Sequence, residues 1–123
     1  MKDCLDILVI DDEVDRMNVQ HLLDNEGMKV VVHEAPDCKS GIEKMKSRKF
    51  DCVLIDYKMP DAIGVEVLGK LREVNRNNVP LILLTGMGDE LLVAEVMKKG
   101  ASDYLSKNGL NGKTLAHSIR KAI

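Results

Sequence analysis

The sequence predicts an α/β protein: an open, mainly parallel sheet with helices on both faces. Two observations predict it. Near-continuous apolar runs recur along the chain: "LDILVI" (Leu5–Ile10), "KVVVHE" (29–34), "DCVLID" (51–56) and "VPLILLT" (79–85). Such runs suit strands covered on both faces, as in a parallel sheet. Amphipathic stretches at helical spacing separate them, so strand and helix alternate, which calls for parallel strands joined by right-handed crossovers.

Each element has local support. A fifth strand, "SDYLSK" (102–107), is shorter and more polar, as an edge strand can be. Val14, Met17, Leu22 and Leu23 fit a first helix, and Ile42 and Met45, with Cys38 a weaker member, fit a second. Val67, Leu68, Leu71 and Val74 share one face of a third. Leu92, Val93, Val96 and Met97 fit a fourth, and Leu115, Ile119 and Ile123 a fifth. Gly27 and Gly100 are placed to end the first and fourth helices, and Pro36 with Asp37 can open the second. Five strand–helix units in 123 residues leave no room for a linker, so one domain is expected over residues 1–123. No repeat exceeds the alternation itself.

Composition narrows the function. At 45% hydrophobic and 31% charged the chain is of globular type. A net charge of −2 gives no reason to expect nucleic acid or an anionic membrane as a direct partner. No apolar run approaches the ~20 residues of a membrane span. The start, "MKDCLDILVI", lacks the plan of a signal peptide because Asp3 and Asp6 interrupt it. Cys4, Cys38 and Cys52 are an odd, scattered set without metal-ligand spacing, which suits a reducing cytoplasm and structural or incidental roles.

In open α/β sheets, sites form beyond the carboxyl ends of the strands. The first strand ends in Asp11, Asp12 and Glu13, the third in Asp56, the fourth in Thr85 and Gly86, and the fifth in Ser106 and Lys107. The second runs into Glu34, Ala35 and Pro36, which read as connection only. Each residue has an ordinary explanation. The acids after the first strand can cap a helix. Asp56 can start a turn with Pro60 and Gly64. Thr85 can be a cap or a β-branched strand residue, and Lys107 a solvated surface charge. None of these explains why acids, a hydroxyl and an ammonium all fall at one sheet edge.

One chemistry does explain the set. Crowded carboxylates repel unless a cation intervenes. The donors are all oxygens, which favours a hard ion, and few carboxylates plus waters suit Mg²⁺. A carboxylate in such a setting can act as a nucleophile towards phosphorus. Lys107 would then neutralise the phosphoryl oxygens, Thr85 would donate to one of them, and Gly86 would leave space for the group.

The successive stretches "VIDDE", "LIDYKMPDAIG", "LLTGMG" and "DYLSK" resemble, in order and spacing, the strand-end motifs of response-regulator receiver domains of two-component signalling, the chemotaxis-regulator type included. The likeness covers residues 4–123. It implies a flavodoxin-like (βα)5 doubly wound parallel sheet with strand order 2-1-3-4-5. It further implies Asp56 as phosphoacceptor, Asp11 and Asp12 as the acidic pair for Mg²⁺ (or Mn²⁺), and the Lys58 backbone carbonyl as a main-chain metal ligand. Thr85 would be the switch hydroxyl, Lys107 the phosphate-pairing lysine, and Tyr104 the aromatic that moves inward with Thr85. A half-buried edge-strand aromatic is the ordinary alternative for Tyr104. Lys58, Gly86 and Met87 would flank the site. The implied function is a switch, not a turnover enzyme, although it supports its own phosphoryl transfer and slow self-dephosphorylation. A histidine kinase or phosphotransfer protein phosphorylates it, shifting the face made by the fourth helix, fifth strand and fifth helix.

One position departs from the family. Pro commonly follows the lysine, with a cis bond; here Asn108 follows Lys107. A cis bond to a non-proline costs roughly 3 kcal/mol, so a trans bond is expected, with a different path into the last helix. At the flanking positions, neither Lys58 nor Met87 offers a carboxylate or amide to orient an attacking water, so a long-lived phospho-state is expected. Decay within seconds would contradict it.

Three rivals are weaker. A flavin carrier would want a Gly/Ser/Thr-rich turn after the first strand, where acids stand. A Mg²⁺-dependent phosphohydrolase would want an acid two residues after Asp56, where Lys58 stands. A degenerate receiver used only for docking would not need so complete a site. Whether the chain is a free-standing regulator or one piece of a longer protein stays open, and the ending "NGLNGKTLAHSIRKAI" leans towards the second.

Overall fold

The apolar runs become five strands: β1 (Leu5–Ile10), β2 (Val30–Ala35), β3 (Cys52–Asp56), β4 (Leu81–Thr85) and β5 (Asp103–Ser106). Five helices alternate with them: α1 (Glu13–Asn25), α2 (Cys38–Ser47), α3 (Gly64–Val74), α4 (Val93–Lys98) and α5 (Gly112–Ala122). The computed structural model describes residues 4–11, 13–75, 78–86 and 93–123. The strands are parallel and lie in the order β2-β1-β3-β4-β5. This is the flavodoxin-like arrangement, in which the strand order reverses between β1 and β3.

Successive strand residues face opposite sides, and each side is covered. Leu8, Ile10, Val53, Ile55, Leu81 and Leu83 pack against Cys38 of α2 and Val67, Leu68 and Leu71 of α3. Ile7, Val9, Leu54, Ile82 and Leu84 pack against Val19 and Leu23 of α1 and Leu115, Ala116 and Ile119 of α5. Burying one such Leu or Ile contributes about 1.5–3 kcal/mol. The three residues before Asp56, Val53, Leu54 and Ile55, are wholly buried, so a charge placed at any of them would disrupt the layer it faces. β5 is an edge strand with alternating exposure, as its polar sequence implies.

Some apolar positions at helical spacing do not reach the core. Met17 is 63% exposed, and Val19 and Leu23 take the buried stripe of α1. Met97 on α4 and Ile123 after α5 are also exposed, and Leu92 lies outside the described residues. The helix ends follow local chemistry. Gly27 and Gly100 adopt left-handed φ of 72° and 110° after α1 and α4. Asp37 caps α2 by accepting the Ser40 N–H at 2.8 Å, and Asn111 caps α5 by accepting the Thr114 N–H at 2.9 Å.

Two local paths position the sheet edge. After Asp56 the chain forms a small hairpin in which Lys58–Met59 pairs antiparallel with Ala62–Ile63, and α3 follows at once. After β5, no peptide bond among the described residues is cis, so the bond between Lys107 and Asn108 is trans. The Asn108 N–H donates to Ser106 Oγ at 3.2 Å and the Leu110 N–H to Lys107 O at 3.3 Å. A tight polar turn thus leads to the Asn111 cap without proline. No helix among the described residues is long and apolar enough to cross a membrane.

Candidate functional site

Parallel register brings the strand ends to one level. Ile10 pairs with Ile55, Asp56 with Leu84, and Thr85 with Ser106. Asp11, Asp56, Thr85 and Lys107 therefore leave the sheet side by side. The Asp11 N–H continues the ladder to Ala35 O at 3.1 Å, and the Lys107 N–H donates to Thr85 O at 2.8 Å.

Three of the four side chains converge. Lys107 Nζ lies 3.1 Å from Asp11 Oδ1, 3.1 Å from Asp11 Oδ2 and 3.2 Å from Asp56 Oδ2. Asp11 is fully buried, whereas the Asp56 and Lys107 side chains keep 17% and 25% of their exposure. A buried carboxylate stays charged only beside a compensating cation, and the Lys107 ammonium supplies one. It is shared between two acids, so the described side chains at this edge retain an excess of negative charge. Asp56, the more open of the two acids, is the one an external group can reach.

Thr85 is 4% exposed, and its hydroxyl donates to Leu105 O at 3.4 Å. That is long for an O–H···O bond, so redirecting the hydroxyl costs little. Half-buried Gly86 follows it. Tyr104 does not join the cluster: it is 42% exposed on the edge strand. Lys58 enters the hairpin opposite Ile63. Asp12 and Met87 lie outside the described residues.

Among the described side chains, the carboxylates of Asp11 and Asp56 are oxygen donors that could hold a metal. They suit a hard cation that keeps waters. Among the described residues no group of three or more His, Cys, Asp or Glu is placed to hold an ion by itself. A hollow of about 620 Å³, lined by residues that include Met45, Arg48, Lys49 and Glu73, contains none of these acids.

One residue of this edge went unnoticed in the sequence. The Asp61 carboxylate, at the hairpin turn, accepts the N–H groups of Cys38 and Lys39 at 2.9 and 3.0 Å. An acid after Pro60 reads as a turn residue, and its partners lie 23 and 22 residues earlier, so no local pattern reveals them. Burial pushes the Cys38 thiol pKa up, and the nearby Asp61 charge adds to the effect.

The geometry agrees with comparisons to known proteins. Residues 7–120 match the family model of the response regulator receiver domain. The chain is 34% identical over 102 residues to the transcriptional regulatory protein FixJ of Bradyrhizobium diazoefficiens, covering 82% of this chain and 48% of that protein. It thus spans about half the length of that relative. A crystal structure of a response regulator receiver domain protein from Clostridium thermocellum superposes with a TM-score of 0.83 at 32% identity, over 97% of this chain and 94% of that one. The receiver domain of the sensor histidine kinase PA1611 from Pseudomonas aeruginosa shares the fold, with a TM-score of 0.80 at 22% identity and 96% coverage of each chain; that protein holds a magnesium ion in its active-site cleft. With the sheet order, the acidic edge and a family match across nearly its whole length, this chain belongs to the response regulator receiver domains, the signalling switches of two-component systems.

Proposed function

We propose that Asp56 accepts a phosphoryl group from a histidine kinase or histidine phosphotransfer protein. The observation that supports this most is the convergence of Asp11 and Asp56 on Lys107 Nζ at 3.1–3.2 Å. An Asp56 carboxylate oxygen attacks phosphorus, and the bond from phosphorus to the donor nitrogen breaks. The product is an acyl phosphate, and the donor imidazole departs with the bonding electron pair. Lys107 pairs with the phosphoryl oxygens as they exchange places with the Asp56 carboxylate in its coordination. Asp11, Asp12, Asp56 and the Lys58 backbone carbonyl are the groups that would hold Mg²⁺, or Mn²⁺ in its place. Such an ion, when bound, screens the charge that develops on phosphorus oxygens.

Thr85 then turns from Leu105 O towards the phosphoryl group, and Tyr104 follows inward, shifting the face of α4, β5 and α5 between two states. Slow hydrolysis accompanies this, with Met87 shielding the anhydride. The output is either a domain on the same longer chain or a separate protein target; neither nucleic acid nor insertion into a membrane is required. Free, scattered cysteines fit a cytoplasmic setting.

The test is incubation with Mg²⁺ and a small phosphodonor, followed by mass measurement of the intact protein. One phosphoryl group is expected on the wild type and none on Asp56→Asn. Phosphorylation that survives the substitution would overturn the assignment. Beryllium fluoride should shift Thr85 and Tyr104 resonances in the wild type alone.

A further inference from the structure

Asp61 is spent on a helix that already has a cap. The first N–H groups of a helix lack partners within it. In α2 the Ser40 N–H goes to Asp37, the local cap. The two before it, of Cys38 and Lys39, go to the Oδ1 and Oδ2 of Asp61. One carboxylate comes from the adjoining residue and the other from the hairpin after Asp56. The second ties two separate elements together.

The hairpin is fastened at its other end too. The Tyr57 N–H donates to Leu84 O at 2.8 Å, and Tyr57 is 5% exposed. Lys58 and Met59 lie between these anchors, paired with Ile63 and Ala62. A ladder of two residue pairs has little stability of its own. Its placement beside the strand end therefore draws on buried Tyr57 and Met59 at the core and on Asp61 at the turn.

We propose that Asp61 is a positioning residue for the phosphoryl-accepting site. By fastening the hairpin to the start of α2, it holds the Lys58 backbone carbonyl where that oxygen can serve a cation beside Asp56. This rests on the reading of Asp56 and Lys58 given above. Mg²⁺ demands near-ideal octahedral geometry, so a carbonyl on a loose turn is a poorer ligand than one on a fastened turn.

The test compares Asp61→Ala with Asp37→Ala in the full chain, since both remove a carboxylate from the same helix end. Mg²⁺ affinity is measured by calorimetric titration, amide exchange by NMR, and Tm alongside. Both variants should melt below the wild type. Asp61→Ala should bind Mg²⁺ about tenfold more weakly, the scale seen for residues that orient metal ligands, and should expose the Cys38 and Lys39 amides to exchange. Asp37→Ala should leave Mg²⁺ affinity unchanged and expose the Ser40 amide. Asp61→Asn, which keeps one acceptor oxygen, should fall between Asp61→Ala and the wild type. Wild-type Mg²⁺ affinity in Asp61→Ala, or an equal loss in both alanine variants, would overturn the positioning role while leaving the site reading intact. A wild type that binds no Mg²⁺ would overturn the site reading and this role with it.

Discussion

The two ends of the sheet both gather charge, and they use it differently. At the carboxyl end, the acids of two strands share one ammonium, that of Lys107. At the amino end, Asp6 Oδ1 meets two nitrogen groups, His33 Nε2 at 3.0 Å and Arg48 Nη2 at 3.3 Å. There Asp51 closes the margin by accepting the Asp6 N–H at 2.7 Å, while its own N–H donates to Asp6 O at 2.8 Å. Phe50 packs edge-on to the His33 ring at 5.2 Å and lies 5.3 Å beneath the Arg48 guanidinium. Carboxylates at a sheet edge are thus not in themselves a site. The amino end spends its acids on backbone and cations, whereas the described side chains at the carboxyl end set two acids against one shared ammonium and leave Asp56 within reach.

The largest expected effect contrasts the two acids that bracket β3. Asp56→Asn should abolish phosphorylation by a small donor, whereas Asp51→Asn should label to the wild-type extent, both read by intact-protein mass. Equal labelling of the two variants would erase the distinction between the ends. A second contrast concerns their cations. Lys107→Ala leaves the buried Asp11 facing Asp56 without the shared ammonium and should cost about 1–3 kcal/mol in metal-free buffer. Arg48 is 46% exposed, and Arg48→Ala should cost at most about 1 kcal/mol. Urea unfolding of both measures the difference, and the reverse ranking would show that the amino end is the electrostatic keystone.

How these ends were legible in sequence follows from the range of the interactions. The carboxyl end could be read because parallel strands with apolar runs place their last residues at one level, so Asp11, Asp56, Thr85 and Lys107 fall together once the sheet is inferred. The trans bond at Lys107 and Asn108 followed from the absence of proline. Exposure of Met17 did not follow, because helical spacing also admits a stripe that keeps the expected Leu23 and takes Val19 with it. The Asp61 bonds and the Asp6, His33 and Arg48 cluster were illegible for a different reason. Their partners come from elements far apart in sequence, and an acid after proline or an arginine after a helix looks the same with or without them.

Acid separates the start of α2 from neutral-pH behaviour. Hydrogen bonds from the Ser40 hydroxyl and backbone N–H hold the Asp37 carboxyl below its ordinary 3.8. Its capping contribution is therefore complete above that ordinary value and is lost as pH falls through the lowered folded-state value. Exchange at the Ser40 amide, corrected for its intrinsic pH dependence, should stay flat through neutral pH and rise only in acid below about pH 4. Loss of protection near neutrality would assign the cap to another group.

The smallest effect times the opening of the two ends. Cys38 opens α2 at the carboxyl end, and Cys52 follows Asp51 at the amino end; both thiols are buried, whereas Cys4 is exposed. Burial pushes the Cys52 thiol up to about 12, so at pH 8 only about one in ten thousand is thiolate, the reactive form. Burial also raises the Cys38 thiol, with Asp61 adding to it. Alkylation followed by peptide mass should label Cys4 first, Cys38 next and Cys52 last, because α2 can lift from the sheet margin while β3 is held by strands on both sides. Asp61→Ala should quicken Cys38 and leave Cys52 unchanged. If Cys38 and Cys52 label at one common slow rate in both proteins, the ends open only together, with global unfolding, and the Asp61 tie does not govern local opening.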